Sequence, residues 1–161
     1  MPLVYWSLGS NLGDRDGFLA AGRKALRERF KQARFSSVYE TEPIDVTDQP
    51  WFLNQVAEVV SGESPESLLE WAQSVEASEQ RQREVPKGPR TLDLDLLLIG
   101  GLIRQDKDPV VPHPRLAQRR HVLVPLAELA PGFKIPGLDL TVAQALSRVQ
   151  DYTQVRFHAE P

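Results

Sequence analysis

The stretch TLDLDLLLI, residues 91–99, carries the strongest fold signal in the chain. Side chains of a β-strand alternate between its two faces, so Asp93 and Asp95 fall on one face and the intervening leucines on the other. From residue 96 onward the stretch is apolar on both faces, which is typical of a strand covered on both sides. We therefore predict a central strand over Leu92–Ile99 that carries two acidic side chains on one face.

The segments around this strand supply the other elements of one α+β domain. Residues with strand propensity predict earlier strands, and apolar residues at helical spacing predict the helices between them. These elements are a strand at 3–8, a helix at 14–30, strands at 35–39 and 52–60, and a helix that starts at Ser64 and Pro65. The order β-α-β-β-α-β predicts a ferredoxin-like core, a mostly antiparallel sheet with helices packed on it. The C-terminal additions are a short strand after residue 101, helices near 122–129 and 141–149, and an edge strand at 154–157.

Composition limits the class of protein. The 161 residues fit a single domain over 1–161, and the net charge of −3 opposes a general nucleic-acid binder. The absence of cysteine excludes a thiolate metal site and a cysteine nucleophile. The longest apolar stretch, 96–103, is too short to span a membrane, and the N-terminus lacks a signal-peptide pattern. We expect a monomeric cytoplasmic domain that binds neither nucleic acid nor membrane.

Asp93 and Asp95 are candidate magnesium ligands. Two carboxylates one pleat apart repel each other and cost desolvation, and a divalent cation removes both penalties. Magnesium takes one or two carboxylates together with water and phosphate oxygens, which this pair allows. The solvated outer face of an amphipathic strand would show the same pattern, so both interpretations stay open from the residues alone.

Two basic segments lie near the acidic pair along the chain. The first is the loop QRQREVPKGPR at 80–90, which contains Arg81, Arg83, Lys87 and Arg90. Cations on a loop suit a polyphosphate whose charge must be neutralised as it reacts, although pairing with nearby glutamates is an alternative. The second segment is PHPR at 112–115, in which prolines on both sides fix the backbone of His113. A phosphate contact and a purely structural histidine both fit that position.

Phe52 and Asn54 share one face of the strand at 52–60. An aromatic plate beside an amide suits a flat heteroaromatic ring, which it would hold by stacking and hydrogen bonds. A core phenylalanine and a turn asparagine are the alternative. Taken together, the residues predict a magnesium-dependent enzyme that acts on a nucleoside polyphosphate and a planar co-substrate.

Six stretches together resemble one family, the 6-hydroxymethyl-7,8-dihydropterin pyrophosphokinases of folate biosynthesis. They are LGSNLG at 8–13, SVYETEP at 37–43, QPWFLN at 49–54, GPRTLDLD at 88–95, PHPRL at 112–116 and PLAELAP at 125–131. The combination of PRTLDLD with PHPRL is the specific part of the match. The fold of that family is the ferredoxin-like domain predicted above.

The resemblance implies transfer of pyrophosphate from ATP to the hydroxymethyl group of the pterin, with release of AMP. It implies that Asp93 and Asp95 hold two Mg²⁺ ions and are catalytic together with Arg81, Arg83 and Arg90. The residues implied to contact ATP are Arg81, Arg83, Arg90, His113 and Arg119 at the phosphates, and Gln73, Glu76, Leu96 and Val110 at the nucleoside. The residues implied to contact the pterin are Thr41, Pro43, Ile44, Phe52, Asn54 and His121. The loops near 44–51 and 82–90 are implied to close over the ligands.

The chain departs from the family pattern at three positions. Gln80 stands where a glycine is usual, Lys87 where an aromatic residue is frequent, and His121 where a phenylalanine commonly stacks on the pterin. An imidazole ring is smaller than a phenyl ring, so we expect altered pterin binding with the magnesium site retained. The alternatives are a paralogue that acts on a related pterin, an ordinary kinase or nucleotidyltransferase, and a non-catalytic module that binds nucleotide or pterin.

Overall fold

The structure, a computed structural model, describes residues 1–44, 48–80 and 91–161. Six antiparallel strands form the central sheet in the order β5-β1-β4-β3-β8, and β2 lies beside β3 along the same edge of β4. The strands of the sheet are β1 (Leu3–Ser10), β2 (Lys31–Phe35), β3 (Val38–Thr41), β4 (Phe52–Val60), β5 (Asp93–Ile99) and β8 (Val155–Ala159). This pairing confirms the predicted α+β class, and the element order is the predicted β-α-β-β-α-β when β2 and β3, which share one edge of β4, are counted together.

Four α-helices, a 3₁₀ helix (Leu116–Gln118) and a two-stranded ribbon complete the described part of the chain. The α-helices and the ribbon strands are α1 (Arg15–Arg29), α2 (Pro65–Gln80), α3 (Arg120–Leu129), α4 (Val142–Arg148), β6 (Lys134–Ile135) and β7 (Leu140–Thr141). Local capping sets where helices begin: the Ser64 hydroxyl accepts from the Ser67 N–H, and Thr141 forms a capping box with Gln144. None of the helices in the described ranges is long and apolar enough to cross a membrane.

The helices cover the two faces of the sheet in pairs. Helices α1 and α2 pack on one face with the even-numbered residues of β1, whereas α3 and α4 cover part of the other face. Gly22 allows α1 to approach the sheet closely, because a Cβ atom there would lie 2.9 Å from the side chain of Leu8. The part of the second face that α3 and α4 leave open is where the candidate site lies.

The predicted strand at 35–39 is wrong in its bounds, because two strands meet there. β2 ends at Phe35 and β3 begins at Val38. Between them Ser36 exchanges two hydrogen bonds with Val56 of β4: its N–H donates to the carbonyl, and its hydroxyl accepts from the N–H. The hydroxyl therefore takes the place of a ladder carbonyl where the edge of the sheet changes strand. The short strand expected after residue 101 is a single bridge between Arg104 and Val111.

A β-bulge in β5 shapes the face that carries the two aspartates. Tyr5 pairs with Leu98 and Trp6 with Leu96, so Leu97 has no partner of its own on β1. Leu97 and Leu98 consequently both join the core beneath α3 and α4. Apolar side chains, those of Leu97 and Leu98, therefore follow the two aspartates on the same face of β5.

Candidate active site

A cavity of about 350 Å³ opens on the face of the sheet that α3 only partly covers. Its floor comes from β1, β4 and β5, and its two walls come from the segment that follows β3 and from the start of α3 with the loop before it. Both polar and apolar side chains line it. Residues from the motif stretches at 8–13, 37–43, 49–54, 88–95 and 112–116 line this cavity, although these stretches are far apart along the chain.

The register of the sheet lines up the floor. Gly9 of β1 pairs with Asp93 on one side and with Asn54 on the other, and Ser7 pairs with Asp95 in the next row. Neighbouring strands lie about 4.8 Å apart, so the backbones of Asp93 and Asn54 are roughly 10 Å apart. Gly9 leaves room for the amide, because a Cβ atom there would come within 3.0 Å of the Asn54 Oδ1. The acidic end and the amide end of the cavity are therefore held at a fixed separation.

Asp93 and Asp95 lie on the same face of β5 and both line the cavity, with Asp93 half-buried and Asp95 exposed. Groups of three or more potential metal-binding side chains do not occur in the parts of the chain that are described. Two carboxylates nevertheless fit Mg²⁺, which keeps several waters and takes its remaining ligands from substrate phosphates. This end of the floor has the donor set of a magnesium site that is completed by a substrate.

The first wall combines apolar surface with a fixed amide. Thr41, Pro43 and Ile44 continue from the end of β3, and Phe52 and Asn54 face them from β4. The Asn54 Nδ2 donates to the Thr41 hydroxyl at 2.5 Å, which fixes the rotation of the amide. The wall offers an aromatic ring, apolar carbons and an oriented amide, the groups that recognise a flat ring with polar edges.

The opposite wall carries two histidines and an arginine. The His113 N–H donates to the Leu97 carbonyl at 2.9 Å, which ties the loop to β5 beside the aspartates. Burial lowers the pKa of His113, and Arg119 lowers it further, although Asp95 opposes them. Burial is the largest of the causes that lower the pKa of His121 to about 4. Arg119 also lowers this pKa, whereas Asp151 raises it. Both imidazoles are therefore neutral at neutral pH, and Arg119 carries the positive charge of this wall.

The structure brings some of the predicted site residues together and leaves others apart. Ten of them line the cavity: Thr41, Pro43, Ile44, Phe52, Asn54, Asp93, Asp95, His113, Arg119 and His121. Four predicted nucleoside contacts do not line it: Gln73, Glu76, Leu96 and Val110. The Glu76 carboxylate accepts from the Leu94 N–H at 2.9 Å and so fixes α2 to β5, whereas Leu96 is in the core. Outside the described residues lie Arg81, Arg83, Lys87 and Arg90, the whole of the predicted closing loop at 82–90, and residues 45–47 of the predicted loop near 44–51.

Six cavity residues had no predicted role: Ser7, Gly9, Glu42, Gln49, Leu97 and Val122. Three of them, Gly9, Glu42 and Gln49, stand inside the quoted motif stretches. Strand alternation was a usable signal for Ser7, which shares a face with Gly9. Alternation also puts Leu97 on the face of Asp93 and Asp95, and Val122 faces the cavity because α3 begins at its rim.

Comparison with known proteins agrees with this geometry. A family model described as "7,8-dihydro-6-hydroxymethylpterin-pyrophosphokinase (HPPK)" matches residues 5–131. The chain belongs to this family. Its HPPK relatives include the "2-amino-4-hydroxy-6-hydroxymethyldihydropteridine pyrophosphokinases" of Bacillus subtilis and Methylorubrum extorquens. The first is 41% identical over 129 residues, 79% of this chain and 77% of the relative. The second is 39% identical over 151 residues, 92% of this chain and 94% of the relative.

Some of the similar proteins are much longer than this chain. The chain spans 20% of the Pneumocystis carinii "Folic acid synthesis protein fol1", with 37% identity over 150 residues. A crystal structure of Plasmodium falciparum HPPK-DHPS superposes with a TM-score of 0.72 and 12% identity, over 91% of this chain and 45% of that one. That likeness supports the fold alone. The HPPK match includes every cavity residue and ends at residue 131, before α4 and β8.

Proposed function

We propose that this chain transfers pyrophosphate from ATP to the hydroxymethyl group of 6-hydroxymethyl-7,8-dihydropterin and releases AMP, a step of folate biosynthesis. Membership of the HPPK family supports this activity. The observation that carries the proposal is the floor of the cavity, where Asp93, Gly9 and Asn54 lie in one row across three strands. The cavity therefore has an acidic end at Asp93 and a ring-binding end at Asn54 and Phe52, and the strands that carry these two ends are separated by one strand, β1.

The ring-binding end suits a pterin. Phe52 offers an aromatic face, and the Asn54 amide, fixed by Thr41, can donate or accept at the edge of a ring. A pterin ring has an apolar face and an edge of alternating donors and acceptors, which matches both features. His121 bounds this end as a neutral ring, because its pKa of about 4 keeps it uncharged at neutral pH.

The acidic end suits the triphosphate. Asp93 and Asp95 would hold the magnesium ions, two by the family resemblance. When bound, magnesium neutralises phosphate charge and orients the triphosphate oxygens. Arg119 adds a positive charge from the opposite wall, and His113 beside Asp95 presents a neutral ring. The predicted phosphate contacts of Arg81, Arg83 and Arg90 belong to this proposal as well.

The chemistry needs positioning more than a covalent intermediate. A bond forms between the pterin hydroxymethyl oxygen and the β-phosphorus of ATP, and the O–H bond of that hydroxyl breaks with release of its proton to water. The bond from that phosphorus to the oxygen bridging it to the α-phosphorus breaks, and AMP leaves with the electron pair. The protein aligns the two reactants, because the ring-binding end fixes the hydroxymethyl oxygen and the acidic end fixes the phosphates.

Product analysis tests the proposal. The protein is incubated with ATP, Mg²⁺ and the dihydropterin, and the nucleotides are separated by ion exchange. We expect one AMP for each pterin consumed, and no AMP when either the pterin or Mg²⁺ is omitted. Formation of ADP would indicate an ordinary kinase, release of pyrophosphate would indicate a nucleotidyltransferase, and ATP binding without turnover would indicate a non-catalytic module. Each of these results would overturn the proposal.

Three further expectations accompany this function and stay predictions. They are a single domain over residues 1–161, a monomer, and a cytoplasmic location. Sedimentation of the purified chain measures the second directly, and a particle of twice the chain mass would contradict it.

A further inference from the structure

The segment from Asp151 to Ala159, here called the C-terminal segment, lies beyond residue 131, where the match to the family model ends. Its last five residues form β8, which pairs with β3 at the edge of the sheet. None of its residues lines the cavity. It nevertheless contacts residues beside the first wall of the cavity, here called the ring-binding wall, which consists of Thr41, Pro43, Ile44, Phe52 and Asn54.

Arg156 of this segment binds a carboxylate that is shared with a second arginine. Its Nε and Nη2 donate to the Glu40 Oε1 at 3.1 and 2.6 Å. The other oxygen of that carboxylate accepts from the Arg15 Nη1 at 2.9 Å. These two arginines hold the pKa of Glu40 below its usual range, the bond from Arg156 being the largest cause. Glu40 is therefore an anionic centre between two elements that are distant in sequence.

The same two arginines also hold Trp51. The Arg15 Nη1 donates to the Trp51 carbonyl at 2.8 Å, and the Arg156 guanidinium carbon lies 4.6 Å from the centroid of the Trp51 ring. That distance is typical of a cation–π contact. Trp51 is thus fixed at its backbone by one arginine and at its ring by the other. Arg15, Glu40, Trp51 and Arg156 are called the tryptophan clamp below.

The tryptophan clamp lies directly beside the ring-binding wall. Trp51 precedes Phe52, the aromatic residue of that wall, and Gln49 of the same turn also lines the cavity. Rotation of the Trp51 backbone would turn the first residue of β4 and change the plane that Phe52 presents to a ring. The tryptophan clamp therefore controls the entry of the chain into β4.

A second contact continues the β3–β8 ladder to the cavity. The Glu42 N–H donates to the Gln154 carbonyl at 3.1 Å, and the Gln154 N–H donates to the Glu42 carboxylate at 3.1 Å. Glu42 lines the cavity beside Pro43. The C-terminal segment therefore supports the ring-binding wall at two separate points.

We propose that Arg156 is a positioning residue for the pterin, which acts through the ring of Trp51 on the orientation of Phe52. The inference rests on the proposed function, because it assigns the pterin to the wall that contains Phe52. It predicts that loss of Arg156 weakens pterin binding and leaves the handling of ATP intact, since among the described residues Arg156 contacts Glu40 and Trp51 and not the residues of the acidic end.

The chain contains a matched control for this proposal. Arg29 binds Glu63 through a comparable pair, with contacts of 2.5 and 3.2 Å and a side chain that is 43% exposed, against 61% for Arg156. Neither residue of that pair lines the cavity. Arg29→Ala and Arg156→Ala both remove an arginine–glutamate pair from the surface, so a general effect of losing such a pair would appear in both variants.

The test compares the steady-state kinetics of the two variants. For Arg156→Ala we expect the pterin KM to rise about fivefold, with kcat and the KM for ATP within twofold of the parent. For Arg29→Ala we expect all three constants within twofold. A binding measurement accompanies the kinetics: titration with fluorescent 6-hydroxymethylpterin, in the presence of Mg²⁺ and a non-hydrolysable ATP analogue, gives the dissociation constant without turnover. That constant should also rise about fivefold in Arg156→Ala alone.

A double-mutant cycle separates action through Trp51 from a direct effect. Trp51→Leu removes the ring, and addition of Arg156→Ala to it should weaken pterin binding less than twofold further. An unchanged pterin affinity in Arg156→Ala, an equal loss in Arg29→Ala, or full additivity with Trp51→Leu would overturn the inference. Failure of the parent protein to form AMP would instead overturn the proposed function, and the fluorescence titration would still test the role of Arg156.

Discussion

Replacement of His121 by Phe is expected to remove a large part of the acid sensitivity of the folded protein. His121 is half-buried in the cavity wall, and burial lowers its pKa from 6.5 to about 4. The ionisable groups that act on it are Arg119 and His113, which lower the pKa further, and Asp151, which raises it. Phe keeps an aromatic ring on the wall and cannot bind a proton.

The size of the effect follows from proton linkage. In the unfolded chain His121 binds a proton near pH 6.5, whereas in the folded protein it stays neutral until about pH 4. Between these values the unfolded state binds more protons, so the folded state loses stability as the pH falls. Between pH 7.5 and 5.0 this difference amounts to about 2 kcal/mol. Below pH 4 the contribution stays constant, because both states are then protonated.

Urea unfolding at pH 7.5 and 5.0 measures this contribution. The parent protein should lose about 2 kcal/mol more unfolding free energy between the two pH values than His121→Phe loses. Comparison of the two losses cancels the carboxylates and His113, which titrate in both proteins. His121→Gln, which likewise cannot bind a proton, should lose as little as His121→Phe, so an effect of the phenyl ring itself would be recognised. Equal losses in the parent and in His121→Phe would refute the reasoning.

Three further substitutions test other parts of the structure. Asp95→Asn should lower AMP formation at least about a hundredfold with an unchanged melting temperature, because the exposed carboxylate is a proposed metal ligand. The control variant Asp106→Asn should change neither AMP formation nor the melting temperature. Near-normal turnover in Asp95→Asn would contradict the metal assignment. Gly22→Ala should lower the free energy of unfolding in urea by about 1 kcal/mol, although alanine has the better helix propensity, because a Cβ atom there would lie 2.9 Å from a buried leucine. A stabilised variant would contradict the close packing. Thr41→Val removes the acceptor of the Asn54 amide and should raise the pterin KM about fivefold, with recovery in Thr41→Ser; an unchanged constant would show that the amide needs no anchor.

Local rules were sufficient for much of this fold. The alternation of residues 91–99 predicted a strand with both aspartates on one face, and the structure places both on the cavity floor. Helix starts were also readable, because Ser64 and Thr141 cap through their own neighbours in sequence. The strand at 52–60 kept its predicted bounds, since it has a long apolar pattern and lies between two strands.

Features that depend on distant partners were not readable from the sequence. The bulge at Leu97 exists because β1 and β5 change register, and nothing within 91–99 marks it. The break at Ser36 depends on a hydroxyl that bonds to Val56, 20 residues further along the chain. Both features alter which residues face the cavity or the edge of the sheet.

The supports of the ring-binding wall were equally hidden. The C-terminal strand was predicted as an edge strand, but no local pattern indicates which residues it contacts. Arg156 and Glu40 are separated by 116 positions. Their contact exists only because β8 pairs with β3, so the tryptophan clamp could be recognised only in three dimensions.

The most direct test of the central claim follows phosphorus through a complete reaction. A ³¹P NMR spectrum of the mixture of protein, ATP, Mg²⁺ and dihydropterin distinguishes the ways in which the triphosphate can be divided. We expect one AMP resonance together with the two coupled resonances of a diphosphate ester on the pterin, in equal amounts. A single pterin monophosphate resonance with ADP, or ATP that stays intact beside bound pterin, would contradict the proposed function.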